Sequence, residues 1–207
     1  NCGHAATGYA KSSGNPGVCL VTSGPGITNM VTPMLDATND STPLIVISGQ
    51  VPLHAVGTNA FQEAPAVEIS KHATKWSYQI KNVKQISHII DKAFYIATTG
   101  KPGSVHIDVP KCVSSANIEK DYYFSPNNYK KLNSILKYDY DNPEIYNEKN
   151  HIKEICRVIQ KSKKPIIYLG QGCKDSVLKL RSFAIANNIP VTSTIHGKGI
   201  FDEHHYL

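Results

Sequence analysis

Cysteine is sparse in this sequence and badly spaced for cysteine chemistry. The five cysteines, Cys2, Cys19, Cys112, Cys156 and Cys173, are odd in number, and none stands in a C-x-x-C pair. That argues against a disulfide framework and a zinc site, and it suits a reducing compartment. The histidines also lack ligand spacing; the neighbours His204 and His205 would point apart on a strand. They read as surface or hydrogen-bonded structural residues, so no metal ligand set is expected. No apolar run reaches the length of a membrane span, about 20 residues, so no membrane-crossing helix is expected. Acidic residues are short as well: 16 Asp and Glu against 22 Lys and Arg give a net charge of +6. Such a balance is compatible with nucleic-acid binding. No arginine cluster, zinc pattern or stacking-aromatic motif supports that, and a solvated basic surface is the reading adopted. There is neither a start methionine nor a charged-then-apolar leader. The ends, Asn1-Cys2-Gly3-His4 and His205-Tyr206-Leu207, read as cuts, so an internal piece of a longer chain is expected.

What is present is a regular alternation. The 207 residues, 41% of them hydrophobic, suffice for one large domain or one plus part of another. Ala5, Ala6, Gly8 and Ala10 mark a small-residue helix over 4–13, suited to close packing on a neighbour. Strands are predicted at 17–22, 44–48 and 104–109, with helices at 27–38 and 85–99 and an irregular loop between 49 and 85. Strands that are apolar throughout and separated by helices imply a parallel sheet covered on both faces. Residues 1–113 therefore predict a doubly wound α/β domain whose N-terminal edge is missing. Residues 114–150, rich in Asn, Lys, Tyr and Asp, read as a linker. Its tyrosines, Tyr122, Tyr123, Tyr129, Tyr138 and Tyr140, either pin it to the domains, the plainer reading, or form a strip for a partner. From 151 the alternation resumes with a helix at 151–161, a strand at 165–169, a helix at 175–187 and a strand at 189–194. This is the opening of a second, Rossmann-like α/β domain over 151–207.

Five segments could carry chemistry. Ser23-Gly24-Pro25-Gly26 lies between a strand and a helix, where backbone can approach a ligand or merely turn. Asp36 to Pro43 reads as a helix end and a strand start. Gly49-Gln50-Val51-Pro52, followed by Ala60-Phe61-Gln62-Glu63, lies beyond a strand's C-terminal end, where open α/β sheets place ligands. Gly170-Gln171-Gly172 is too short for a G-x-G-x-x-G fingerprint, so NAD is poorly supported. Ser193-Thr194-Ile195-His196-Gly197-Lys198-Gly199 again follows a strand.

The blocks VTSGPGITN, NDSTPLIVISGQVP, GTNAFQEAP, GKPGSVHIDVPK, KKPIIYLGQG and NIPVTSTIHGKGIF, in this order, resemble the large catalytic subunit of acetolactate synthase (acetohydroxyacid synthase). Outside the linker the resemblance covers nearly the whole chain. It implies a thiamine-diphosphate enzyme with FAD and Mg²⁺, which decarboxylates pyruvate and condenses the two-carbon unit with pyruvate or 2-ketobutyrate. Residues 1–113 then correspond to the pyrimidine-binding domain and 151–207 to the start of the central domain. The catalytic glutamate falls just before Asn1, and the diphosphate-binding domain with its metal ligands lies outside the chain, which by itself is expected to be inactive. By motif, Phe61 and Gln62 match residues at thiamine diphosphate. Ser41, Lys101, Gly170, Gln171, Gly172, Thr194, Ile195, His196 and Gly197 match the surroundings of FAD, which is largely structural in this family. Pro52, Ala60, Lys75 and Lys111 match an inhibitor channel.

The family further implies a homodimer or homotetramer with its active site at the subunit interface, and a regulatory small subunit. Its compartment is a plastid in a eukaryote and the cytoplasm otherwise. The chain departs from the family at Lys101, where arginine is usual, at Asn59, where Asp is common, and at Gln171, where glycine is usual. If that last turn needs positive φ, either Gln171 is strained and weakens FAD binding or the turn differs from the family's. The competing readings are a sibling enzyme, such as pyruvate oxidase or a 2-keto acid decarboxylase, and a non-catalytic nucleotide-binding module of the same fold.

Overall fold

A computed structural model describes residues 1–118 and 148–207. The chain divides into two compact units, Asn1–Lys137 and Tyr138–Leu207. Most of the linker expected at 114–150, with its tyrosines, lies outside the described residues.

The first unit runs α1 (Cys2–Ser13), β1 (Gly17–Val21), α2 (Pro25–Thr28), α3 (Val31–Asn39), β2 (Leu44–Gln50), α4 (Ala66–Lys71), β3 (Trp76–Gln79), α5 (Ile86–Thr98), β4 (Ser104–Pro110) and α6 (Lys111–Ser114). Its sheet is wholly parallel, in the order β1-β2-β4-β3. Alternate residues of the central strands feed opposite cores, as the period of a strand requires. Leu44 and Val46 pack with Cys19, Ile27, Met30, Met34 and Ala37 on one face. Ile45, Val105 and Ile107 pack with Ile80, Ile89, Ala93 and Ala97 on the other. The doubly wound reading holds. On the edge strand β1 the second face is uncovered, and Leu20 is 75% exposed.

Two short elements, α4 and β3, occupy the segment read as an irregular loop. The helix expected over 27–38 is broken at Asn29 and Met30 into α2 and α3. Helix α3 ends in a Schellman turn, with Thr42 N–H donating to Ala37 O (2.8 Å) and Ser41 N–H to Thr38 O (3.4 Å). Ser41 holds the left-handed position of that turn at φ 55. The segment from Asp36 to Pro43 does end a helix and start a strand. All five cysteines are free, and burial pushes the Cys19 thiol up to about 12, leaving it inert.

In the second unit, α7 (Glu148–Lys161) precedes β5 (Ile167–Leu169), α8 (Val177–Ala186) and β6 (Val191–Ser193). The two strands pair in parallel. Leu169, Ala184, Ile200 and Phe201 form its small core.

Of the small residues expected to pack α1 closely, Ala6 and Ala10 are buried while Ala5 and Gly8 are exposed, and glycines at the contacts with β1 and the start of α3 let the helix lie close. A Cβ on Gly17 would stand 2.2 Å from Ala6 O, and one on Gly3 would stand 2.5 Å from Met30 Cε. The first clash is with backbone, which cannot turn aside. Gly17→Ala should therefore destabilise the first unit by about 2 kcal/mol or more, read by urea unfolding. An unchanged midpoint would contradict this packing.

Candidate functional site

The loops at the C-terminal ends of β1, β2 and β4 converge. Gly24, at φ 56, lets the 23–26 turn touch the 60–63 segment backbone to backbone; a Cβ there would lie 2.9 Å from Gln62 O. Gln62 itself takes a left-handed φ of 61, an uncommon conformation for a residue with a side chain. Its neighbour Phe61 is 90% exposed, and Gln62 is exposed as well. Pro52, Ala60 and Lys111 stand at this same edge of the sheet, since Gln50 at the end of β2 pairs with Pro110.

The loop between β2 and α4 is a closed structure. Glu63 folds back over it, its carboxylate accepting the amides of Gly57 and, at 3.1 Å, Ala60. These backbone donors, Gly57 first, hold the Glu63 carboxyl below its ordinary range. At the base Gln50 Nε2 donates to Ala64 O at 2.9 Å. A cavity of about 500 Å³ opens beside the loop, lined by Gln50, Glu63, Glu68, Gln79 and Lys81 among others.

Beneath the loop runs a buried polar network. Asp108, fully buried, accepts from Ser48 Oγ at 2.7 Å, Gln79 Nε2 at 2.9 Å and Gln50 Nε2 at 3.2 Å. His106, also fully buried, lies 2.8 Å from Ser48 Oγ through Nε2 and 2.7 Å from Ser70 Oγ through Nδ1. Burial lowers the His106 pKa to about 4, so the ring is neutral near pH 7 and has one N–H. The ring stands between two hydroxyls whose hydrogens have other acceptors as well, Asp108 for Ser48 and Ser77 Oγ and Val67 O for Ser70. Burial also raises the Asp108 pKa, opposed by the bonds from Gln79, Ser48 and Gln50.

Other expected residues lie elsewhere. Lys75 N–H donates to Ser104 O, at the opposite, N-terminal edge of the sheet from Pro52 and Lys111. Its ammonium caps α5, donating to Ile96 O and, at 2.8 Å, Thr99 O. Burial lowers its pKa. Lys101 and Ser41 precede β4 and β2 at that same edge.

In the second unit Gly170 and the 194–197 turn are brought together at the ends of β5 and β6. Thr194 N–H donates to Leu169 O at 2.9 Å, and Thr194 Oγ1 accepts from Gly197 N–H at 3.2 Å. Gly197 has no room for a side chain, since its Cβ would stand 2.9 Å from Leu169 O. Ile195 is 80% exposed. Gln171 opens a 3-10 helix, Gln171–Ser176. It is absent from the positive-φ residues, which apart from glycine are Ser41, Asn59, Gln62 and Asn188 among the described residues. The strain expected at Gln171 does not exist, because the turn is made by a helical start and not by a left-handed residue.

Residues 1–69 match the family model of the thiamine pyrophosphate enzyme N-terminal TPP binding domain. Residues 152–207 match the central domain of the same enzymes. The chain belongs to the thiamine pyrophosphate enzymes. Within that family it is similar to the chloroplastic acetolactate synthase of Arabidopsis thaliana, 43% identical over 197 residues, or 95% of this chain and 28% of the relative. The mitochondrial acetolactate synthase catalytic subunit of Saccharomyces cerevisiae is 42% identical over 207 residues, 97% of this chain and 29% of its own length. That of Aspergillus candidus is 42% identical over 210 residues, 99% and 30% respectively. The chain thus spans less than a third of the length of these curated relatives. No helix among the described residues is long and apolar enough to cross a membrane.

For a thiamine pyrophosphate enzyme the notable omission from the sequence reading is the Asp108 network. Its signal was polar residues at alternate positions of buried strands: Ser48 in LIVISG, and His106 and Asp108 in SVHIDV. They share one face, and Ser48 pairs with Asp108 in the register.

The network has a pH signature. Between pH 6.5 and about 4 the unfolded chain binds a proton at His106 that the folded chain refuses. Stability from the neutral ring is therefore complete above 6.5 and lost as pH falls towards 4. Asp108, with its raised pKa, binds its proton better when folded and offsets part of that loss at the acid end. Moving from pH 7 to 5 should cost about 2 kcal/mol through His106. That difference should shrink in His106→Asn, measured by urea unfolding at both pH values. An equal loss in the variant would show that other groups carry it.

Proposed function

We propose that this chain is the cofactor-gripping part of an acetolactate synthase, which joins two 2-keto acids, pyruvate with pyruvate or 2-ketobutyrate, with loss of CO₂. The observation that supports this best is the backbone closure of the Gly24 turn on Gln62. It presents an exposed ring and an exposed amide together at the C-terminal edge of a TPP-binding domain.

These residues fit thiamine diphosphate. Phe61 supplies an apolar wall that excludes water, and Gln62 an amide that can donate to or accept from the cofactor or a substrate carboxylate. Bound there, the cofactor supplies the electron sink that takes up the charge left when pyruvate loses CO₂. The chain's own work is orientation. Fixed donors near developing charge lower the barrier because they need no rearrangement during the reaction. Among the described residues no group of three or more His, Cys, Asp or Glu is placed to hold a metal ion, so these residues do not fit Mg²⁺ and no ligand for it is assigned. For FAD the second unit offers Gly170, Gly172 and the turn of Thr194, Ile195, His196 and Gly197. The backbone at Gly172 is open, with nothing within 4 Å of where a Cβ would be, and Ile195 is an exposed apolar contact. Pro52, Ala60 and Lys111 are proposed for an inhibitor channel. Assembly as a homodimer or homotetramer, a regulatory small subunit, and a plastid compartment in a eukaryote or the cytoplasm otherwise are carried over from the family as part of the same proposal.

The test is the product made from pyruvate by the full-length polypeptide with thiamine diphosphate, Mg²⁺ and FAD. Acetolactate supports the proposal; acetyl phosphate or acetaldehyde in its place assigns the chain to a sibling enzyme. In that polypeptide Gln62→Ala should slow turnover on the order of a hundredfold with the fold intact. An unchanged rate removes Gln62 from the site. Because Gln171 is unstrained, Gln171→Gly should leave FAD affinity within about twofold, as 1 kcal/mol of relieved strain would shift it about fivefold. A clear tightening by flavin fluorescence titration would reinstate the strain.

A further inference from the structure

Each polar atom of the Gln50 side-chain amide is engaged, and the side chain is almost wholly buried. Its Oε1 accepts from Val51 N–H at 2.9 Å, at the start of the loop. Its Nε2 donates to Ala64 O at 2.9 Å, at the end of the loop, and to Asp108 Oδ2 at 3.2 Å. One amide therefore joins both ends of the loop that carries Phe61 and Gln62. Behind it Asp108 is fixed in turn by Ser48 from β2 and Gln79 from β3. No lysine or arginine pairs with Asp108 among the described residues, so neutral side-chain donors alone hold the carboxyl in place. Glu68 brings a like charge towards it.

The tip of the loop is less secured than its base. Glu63 clasps Gly57 and Ala60. Gln62, by contrast, sits in a left-handed conformation that costs free energy and persists only when its surroundings impose it. Those surroundings are the Gly24 turn on one side and the Gln50-anchored segment at Ala64 on the other.

We propose that Gln50, held by Asp108, is the positioning residue for Gln62. It fixes the loop closure at Ala64 so that the Gln62 amide meets the bound cofactor and substrate in one geometry. This rests on the reading of Gln62 given above. Gln50 touches neither cofactor nor substrate in this account; it acts through the loop.

A residue that only stabilised the fold would lower the amount of active protein whatever stood at position 62. A residue that acts through Gln62 should matter only while Gln62 is there. The experiment is a double-mutant cycle in the full-length polypeptide with Gln50→Leu, Gln62→Ala and the pair, reading kcat and kcat/KM for pyruvate at saturating thiamine diphosphate. Circular dichroism and the urea midpoint report the folded fraction. Gln50→Leu is expected to lower kcat/KM at least tenfold on its own, because a displacement of about 1 Å can cost a hundredfold. In the Gln62→Ala background it should change the rate less than about twofold, since contacting groups that act as a unit are not additive.

Multiplicative losses would overturn the proposal, and so would full activity in Gln50→Leu beside an impaired Gln62→Ala. If Gln62→Ala is itself fully active, the reading of Gln62 falls and takes this inference with it, an outcome distinct from the other two. Should Gln50→Leu fail to fold, Gln50→Asn runs the same cycle. It keeps an amide but is too short to reach both Ala64 O and Asp108, and the same outcomes decide.

Discussion

A buried carboxylate that pairs with no lysine or arginine among the described residues constrains the first unit more than any single apolar contact. Removing Asp108 from water is costly unless its oxygens are satisfied. They are satisfied by Ser48, Gln50 and Gln79, contributed by two other strands of the sheet. The donors can meet there only if β2, β4 and β3 lie side by side in the observed parallel register. The same requirement seats Ser70 of α4 against His106 and brings Ala64 down onto Gln50. A slip of one residue in β4 would send Asp108 to the opposite, apolar face among Ile45 and Ile89. The apolar cores reward many registers approximately; this network tolerates one.

That network also explains the division of labour between the sheet's two edges. At the C-terminal edge the loops are shaped by polar side chains and left-handed residues, and they expose Phe61 and Gln62. At the N-terminal edge the polar residues serve the fold. Ser41 closes the end of α3, Lys75 caps α5, and Ser104 Oγ bonds Met34 O and Ala73 O. Ligands of open α/β sheets gather at the strand C-termini, and this unit keeps to that division.

Much of this was legible in the sequence because the central strands are apolar without interruption and α5 keeps a helical period. Where the signal came from tertiary context it was lost. Strand β3, WSYQ, has half-buried residues of mixed polarity and lies at the sheet edge; α4 is only six residues long. Neither sustains a period long enough to be read. The break between α2 and α3 lies at Asn29 and Met30, four residues ahead of Pro33, whose ring excludes the helical hydrogen bond back to Asn29 O. Of the candidate residues, Phe61 and Gln62 stand exposed at the C-terminal edge of the first sheet, and the 194–197 turn follows β6, as their places in the motifs imply. Lys75 stands at the other edge of the sheet from Pro52 and Lys111, a separation that motif order does not carry. At Gln171 a family preference for glycine does not amount to a need for positive φ, because this turn begins a 3-10 helix.

The central claim is that the 23–26 turn and the 57–64 segment together grip thiamine diphosphate. Hydrogen–deuterium exchange on the full-length polypeptide, with and without saturating thiamine diphosphate, tests this most directly. The account predicts slower exchange in peptides spanning 23–28 and 57–64, and no change in those spanning 96–104 at the far edge of the sheet. Protection absent from both loops, with binding verified independently in the same sample, would contradict it.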